Sequence, residues 1–200
     1  MSGTSKKRLS TTTSGMKSMP GESPWPKRLG ALVGISVVIG LVALMLFNSD
    51  PISGVPEGTE TIAVTTAEHI NGTIYRQGEV PAGGAMDAAW ANCGYYDAPF
   101  RTENVVHSLE HGAVWISYVP DLDSDQIDRL KRFTGGVDKV LVSPVPGQDA
   151  QIIATAWGFQ LKLTDANDQR LEQFVNEFER GRNAPEAGAL CRSGVGNPIG

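Results

Sequence analysis

AVWISYVPDLDSDQIDRLKRFTGGVDKVLVSPV, residues 113–145, reads as strand, short helix, strand. Its two ends, AVWISYV (113–119) and KVLVSPV (139–145), are β-branched and aromatic and are bounded by Gly or Pro, the composition that fits a pleated, buried surface. Between them Ser124 to Phe133 has Ser124 available as an N-cap, Asp125 and Asp128 early, Lys131 and Arg132 late, and Gly135 just beyond. That charge order complements a helix dipole.

Downstream, QIIATAWGFQLKL (151–163) is a further strand run that either continues through Gly158 or turns there. Ala166 to Arg180 places Leu171, Phe174, Val175 and Phe178 on one helical stripe, with Asp165 as cap and Gly181 as terminator. Upstream, TIAVTT (61–66) and GTIYRQ (72–77) alternate as strands do, and VPAGGAM (80–86) is a Pro/Gly loop. The expected fold is α+β: one small domain, a mixed or antiparallel sheet, and about two helices.

Preceding that domain, LGALVGISVVIGLVALMLF (29–47) is 19 residues without a charge. That is the length a helix needs to cross a hydrocarbon core of about 30 Å. The rival, a cleaved signal peptide, requires a shorter apolar run and a small-x-small site that Phe47-Asn48-Ser49-Asp50 lacks. Residues 1–28 carry Lys6, Lys7, Arg8, Lys17, Lys27 and Arg28 against Glu22 alone, which orients the tail to the cytoplasm and the rest outside it. The expected order is a disordered basic tail (1–28), a transmembrane helix (29–47), a linker rich in Pro and Gly (48–60) and an extracytoplasmic domain (61–200) at the plasma membrane. Its partners are the lipid bilayer along 29–47 and other membrane proteins.

From chain totals of 17 basic and 22 acidic residues, the part beyond the span keeps 11 and 21. An acidic domain is a poor partner for nucleic acid. No phosphate-binding glycine loop is present, since GALVG (30–34) lies in the span, so nucleotide binding is not expected either. No G-x-S-x-G elbow marks a serine hydrolase. Asn71-Gly72-Thr73 matches a glycosylation acceptor, a pattern too short to carry weight. The two cysteines, Cys93 and Cys191, fall on the outer side, where an oxidising compartment favours a disulfide; two separate buried thiols are the alternative.

The three histidines are His69, His107 and His111, two of them in VHSLEHG. On a helical turn His107 and His111 share a face and can chelate one ion; in an extended segment they stand too far apart. Alternatively, both hydrogen-bond to backbone at the entry to AVWISYV. The order H-S-L-E-H is not the zincin motif, so Glu110 has no ready-made role as general base and instead suits the orientation of an imidazole.

The block WANCGYYDAPFRTENVVHSLEHGAVWISYVPDL (90–122), with His69, the loop 80–86, LVSPVPG (141–147), TAWG (155–158) and Cys191, resembles the bacterial domain of unknown function 3105 family, whose members are membrane-anchored. The family's loop reads P-P-T-S-G-P-H, whereas here it is VPAGGAM, so Met86 stands in place of a histidine. A soft metal accepts either imidazole or thioether. The resemblance therefore implies a metal set of His69, Met86, His107 and His111, with Glu110 behind it, for copper first and zinc second. Two other readings stand beside this non-enzymatic one. One is a structural or partner-binding accessory subunit of a membrane complex; the other is an enzyme that uses Glu110 with His107 or His111.

Overall fold

The computed structural model describes residues 54–136, 139–179, 181 and 183–199. The chain divides between Asp50 and Pro51 into two units, and the second is the one described. The expected tail (1–28) and transmembrane helix (29–47) lie outside the described residues, as does 48–53 of the linker. Among the described residues no helix is long and apolar enough to cross a membrane.

Six strands and three helices make an α+β domain. In chain order they are β1 (Glu60–Thr61), β2 (Gly94–Tyr95), α1 (Thr102–Glu110), β3 (Val114–Tyr118), α2 (Ser124–Lys131, continued by a 3₁₀ turn over Arg132–Thr134), β4 (Val140–Pro144), β5 (Ile152–Ala156), β6 (Phe159–Leu163) and α3 (Gln169–Phe178). The sheet is mixed, in the order β1-β6-β5-β3-β4-β2. β3 and β4 run parallel, so the chain must cross over between them, and α2 is that crossover. β5 and β6 form the antiparallel hairpin, turning at Trp157-Gly158 with Gly158 at φ +78°.

Both faces of the central strands are covered, which is why AVWISYV shows no polar alternation. Val114, Ile116 and Tyr118 pack with Leu130 of α2 and with Leu171, Phe174, Val175 and Phe178 of α3. From the opposite pleat Trp115 and Leu141 join Val105, Val106 and Leu109 of α1, together with Met86. The Trp115 indole Nε1–H donates to Ser143 Oγ at 2.9 Å, so its one polar atom is satisfied in the core.

Several expectations need correction. Among the described residues there are three helices where about two were expected: α1, which ends inside VHSLEHG, has nearly all of its residues buried, polar ones included. TIAVTT contributes only Thr61 to a strand. GTIYRQ forms no strand, because the amides of Ile74 and Tyr75 donate to the Glu103 carboxylate at 2.6 and 3.2 Å rather than to a neighbouring strand. Asp123, not Ser124, takes the N-cap position of α2, without a side-chain cap bond. Asp168, not Asp165, caps α3 by accepting from the Arg170 amide, while Asp165 closes the preceding turn through Asn167.

Cys93 and Cys191 are joined in a disulfide, Cα–Cα 5.3 Å, across a sequence separation of 98. A loop of that length removes about 4–5 kcal/mol of chain entropy from the unfolded state in the loop-closure account.

Candidate metal centre

Helix α1 supplies two of the centre's three residues. Its apolar residues Val105, Val106 and Leu109 face the second core cluster, and the polar residues between them are buried against the loop 87–91. Asn104 Nδ2–H donates to Ala89 O at 2.6 Å, Ser108 Oγ–H to Ala91 O at 2.7 Å, and Arg101 pairs with Glu103 at 3.1 Å. Most of the buried polar groups on this helix thus find partners, as the cost of leaving one unmade requires. One does not: Glu110 Oε2 is buried and accepts no hydrogen bond.

Around that oxygen stand two imidazoles. His107 Nε2 and His69 Nε2 each lie 3.9 Å from Glu110 Oε2. His107 and Glu110 are three residues apart on α1, one helical turn, which places them on one face. His69 comes from the loop before Asn71, held there by a parallel bridge in which Ile70 N donates to Met86 O and Met86 N to Glu68 O, at 2.7 and 2.9 Å. One ligand atom from each of His69, His107 and Glu110 lies within 4.8 Å of the others.

The protonation of His107 and His111 follows from their partners. His107 Nδ1 is 2.8 Å from Asp87 O and His111 Nδ1 is 2.8 Å from Leu190 O. A carbonyl only accepts, so in each ring Nδ1 carries the proton and, in the neutral form, Nε2 keeps its lone pair. This orienting bond on the far ring nitrogen is the usual support of a metal-ligating histidine. Burial, reinforced by the neighbouring His111 and His69, pushes the His107 pKa below the ordinary imidazole value, against the pull of the Asp87 carbonyl. Burial and the nearby Glu186 raise that of Glu110, with His69 opposing.

Donor atoms 2.0–2.1 Å from a tetrahedral ion stand about 3.3–3.4 Å from one another. Two edges of the triangle are 3.9 Å and all three lie within 4.8 Å, so that a small side-chain adjustment closes it to ligating distance. His69, whose side chain is 47% exposed, has the freedom to make it. The donor types and their orientation fit a borderline metal ion.

Not every residue singled out from sequence is in the triangle. His111 lies beside it, its ring centroid 4.6 Å from that of His107 and its Nε2 3.5 Å from Glu186 Oε2. Met86 is fully buried in the second apolar cluster, tied to His69 through backbone. Two participants escaped sequence reasoning. Trp90 packs its ring against His107 and His111, at 5.6 and 5.0 Å between centroids. Glu186 arrives on the C-terminal segment. A single Trp and a single Glu in loop sequence give no signal, and the orienting carbonyls of Asp87 and Leu190 belong to the backbone.

The fold and the centre together define a class: an α+β domain that gathers imidazole and carboxylate donors on one helix and one loop. Residues 69–193 match the family model described as a protein of unknown function (DUF3105), and the chain belongs to that family. That span begins at His69 and takes in every residue of the triangle. No curated protein and no solved structure matches the chain.

Proposed function

We propose that the domain is a non-enzymatic metal-binding module, held at the outer face of the plasma membrane by residues 29–47, that binds a borderline transition-metal ion through His69, His107 and Glu110. The observation that carries this reading is the buried, unpartnered Glu110 oxygen between two imidazoles whose ligand atoms fall within 4.8 Å of it and of each other. Imidazole with carboxylate suits both Cu(II) and Zn(II), and at a given nitrogen and oxygen set copper binds more tightly than zinc, so copper is the ion proposed and zinc the second choice. Met86 is the soft donor that Cu(I) recruits, since a thioether favours the reduced ion and an unbranched side chain can reorient.

The test is equilibrium dialysis of the full-length chain in detergent against Cu(II) and Zn(II). Tight binding of one ion per chain is expected; no binding above a folded control protein sinks the proposal.

A second reading, a structural or partner-binding subunit of a membrane complex, is favoured by the bonds of His107 and His111 to backbone carbonyls. It predicts that changing these histidines lowers stability equally with and without metal.

A further inference from the structure

The segment after α3 returns across the metal centre as a strap. Its contacts fall on the elements that carry the ligands. Glu186 N donates to Glu110 O at 3.0 Å, Leu190 O accepts from His111 Nδ1, and Glu186 Oε2 comes within 3.5 Å of His111 Nε2. The Lys139 ammonium, coming from the start of β4, donates to both Ala189 O and His111 O and so stitches the strap to the end of α1. One residue past Leu190, the strap is bonded covalently to the body through Cys191–Cys93, where Cys93 N also donates to Cys191 O at 2.8 Å.

What holds the strap in place is unusual for its position. Pro185, Glu186, Ala187, Gly188 and Leu190 are all exposed, so this stretch buries little apolar surface of its own. Its placement depends on a few hydrogen bonds, on the disulfide, and on the flanking anchors at Ala184, packed on the second cluster, and at Val195, bridged to Ala91, since chain entropy otherwise favours its release. The side chain of Glu186 is itself 56% exposed.

We infer that the strap completes the metal centre, that Glu186 supplies a further carboxylate donor to it through the His111 side, and that the Cys93–Cys191 disulfide makes this completion redox-dependent. The inference rests on the metal reading above and adds to it a ligand and a control. Opening the bond takes a dithiol: the S–S bond breaks, Cys93 and Cys191 each gain a proton, and the electron pair comes from the dithiol, which closes to its own disulfide. Once the bond is open, the strap between Glu186 and Leu190 loses its covalent tie, so that Glu186 and Leu190 O are no longer held against His111, and the ion is held by His69, His107 and Glu110 alone. Loss of an orienting partner lowers metal affinity by about 10–100-fold.

The experiment uses Zn(II), which does not change oxidation state, in competition with a chromophoric chelator. It compares the full-length oxidised chain, C93S/C191S, Glu186→Gln with the disulfide intact, and the three changes combined, with thermal unfolding to verify folding. Affinity is expected to fall about tenfold in Glu186→Gln and about 10–100-fold in C93S/C191S. Adding Glu186→Gln to C93S/C191S is expected to cost no more than about twofold, because the strap is already released. A folded C93S/C191S chain that binds like the wild type overturns the inference while leaving the metal reading intact, as does a full Glu186→Gln effect in both backgrounds. Where C93S/C191S does not fold, unchanged affinity in Glu186→Gln and Glu186→Ala overturns it on its own. If the oxidised wild type takes up no Zn(II) or Cu(II), the metal reading fails and this inference falls with it.

Discussion

Glu110 Oε2 and His107 Nε2 face each other at 3.9 Å across one turn of α1, both side chains buried and the carboxylate oxygen without a hydrogen-bond donor. Natural cores seldom leave such an oxygen unmatched, because it forfeits its hydration for nothing in return. An incoming cation would supply what the oxygen lacks.

It follows that Glu110 weakens the metal-free domain. Glu110→Gln, which keeps the shape and removes the buried charge, is expected to raise the stability of the metal-free chain by about 1–2 kcal/mol at neutral pH. The same change is expected to remove the stabilisation that added Zn(II) gives the wild type. Thermal unfolding with and without a chelator measures both.

Glu103 works in the opposite sense. Burial alone raises its pKa, but the amides of Ile74 and Tyr75 and the Arg101 guanidinium outweigh that and hold its carboxyl below the ordinary value. A folded-state pKa below the unfolded one gives stability that is present above about pH 4.3, the unfolded value, and is lost as pH falls through the folded one. Glu103→Gln is expected to cost about 2–3 kcal/mol at pH 7. The gap between variant and wild type should narrow steadily in unfolding midpoints taken from pH 5 down to pH 3.

Gly112 and Gly181 make a close backbone approach beside the centre. A Cβ on Gly112 meets Gly181 Cα at 2.7 Å, and one on Gly181 meets Gly112 Cα at 2.6 Å, with φ at +88° and +62°. Alanine at either place combines a left-handed backbone with a collision against main chain, so a loss of about 2–4 kcal/mol is expected from denaturant unfolding. Since Gly112 follows His111, Gly112→Ala is also expected to weaken metal binding.

Met86 separates the two oxidation states of copper. Met86→Leu conserves volume in the buried cluster and is expected to cost under about 1.5 kcal/mol in stability. Cu(II) and Zn(II) affinities should stay within about threefold, while Cu(I) affinity, measured against a Cu(I)-selective chelator, should drop about tenfold or more as the thioether is lost. Equal Cu(I) affinity in the two chains removes Met86 from the ligand set.

The sheet was legible where the chain repeats a simple physical pattern. AVWISYV and KVLVSPV are buried on both faces and so are apolar throughout, and the stripe Leu171, Phe174, Val175, Phe178 meets one side of a sheet and therefore shows its period. Helix α1 was illegible for the same reason that it matters. Glu103, Asn104, His107 and Ser108 are buried polar residues satisfied by distant loop backbone, which sequence periodicity cannot express. The site was half legible: the pair His107 and His111 points to chemistry, but the role of Glu110 and the arrival of His69 and Glu186 depend on how three loops return to one helix. Nor did anything local foretell that His111 would turn its Nε2 toward Glu186.

The most direct test of the metal centre removes one ligand atom while keeping the orienting hydrogen bond. His107→Asn keeps a side-chain N–H where Nδ1–H donates to the Asp87 carbonyl and deletes Nε2, so the structural bond survives and the ligand does not. Cu(II) and Zn(II) affinities of the full-length wild type and of His107→Asn, measured side by side with their unfolding midpoints, should show a loss of at least about 10-fold in affinity at nearly unchanged metal-free stability. Equal metal affinity in the two chains, or no metal bound by the folded wild type, would contradict the account and leave His107 as a residue of the fold alone.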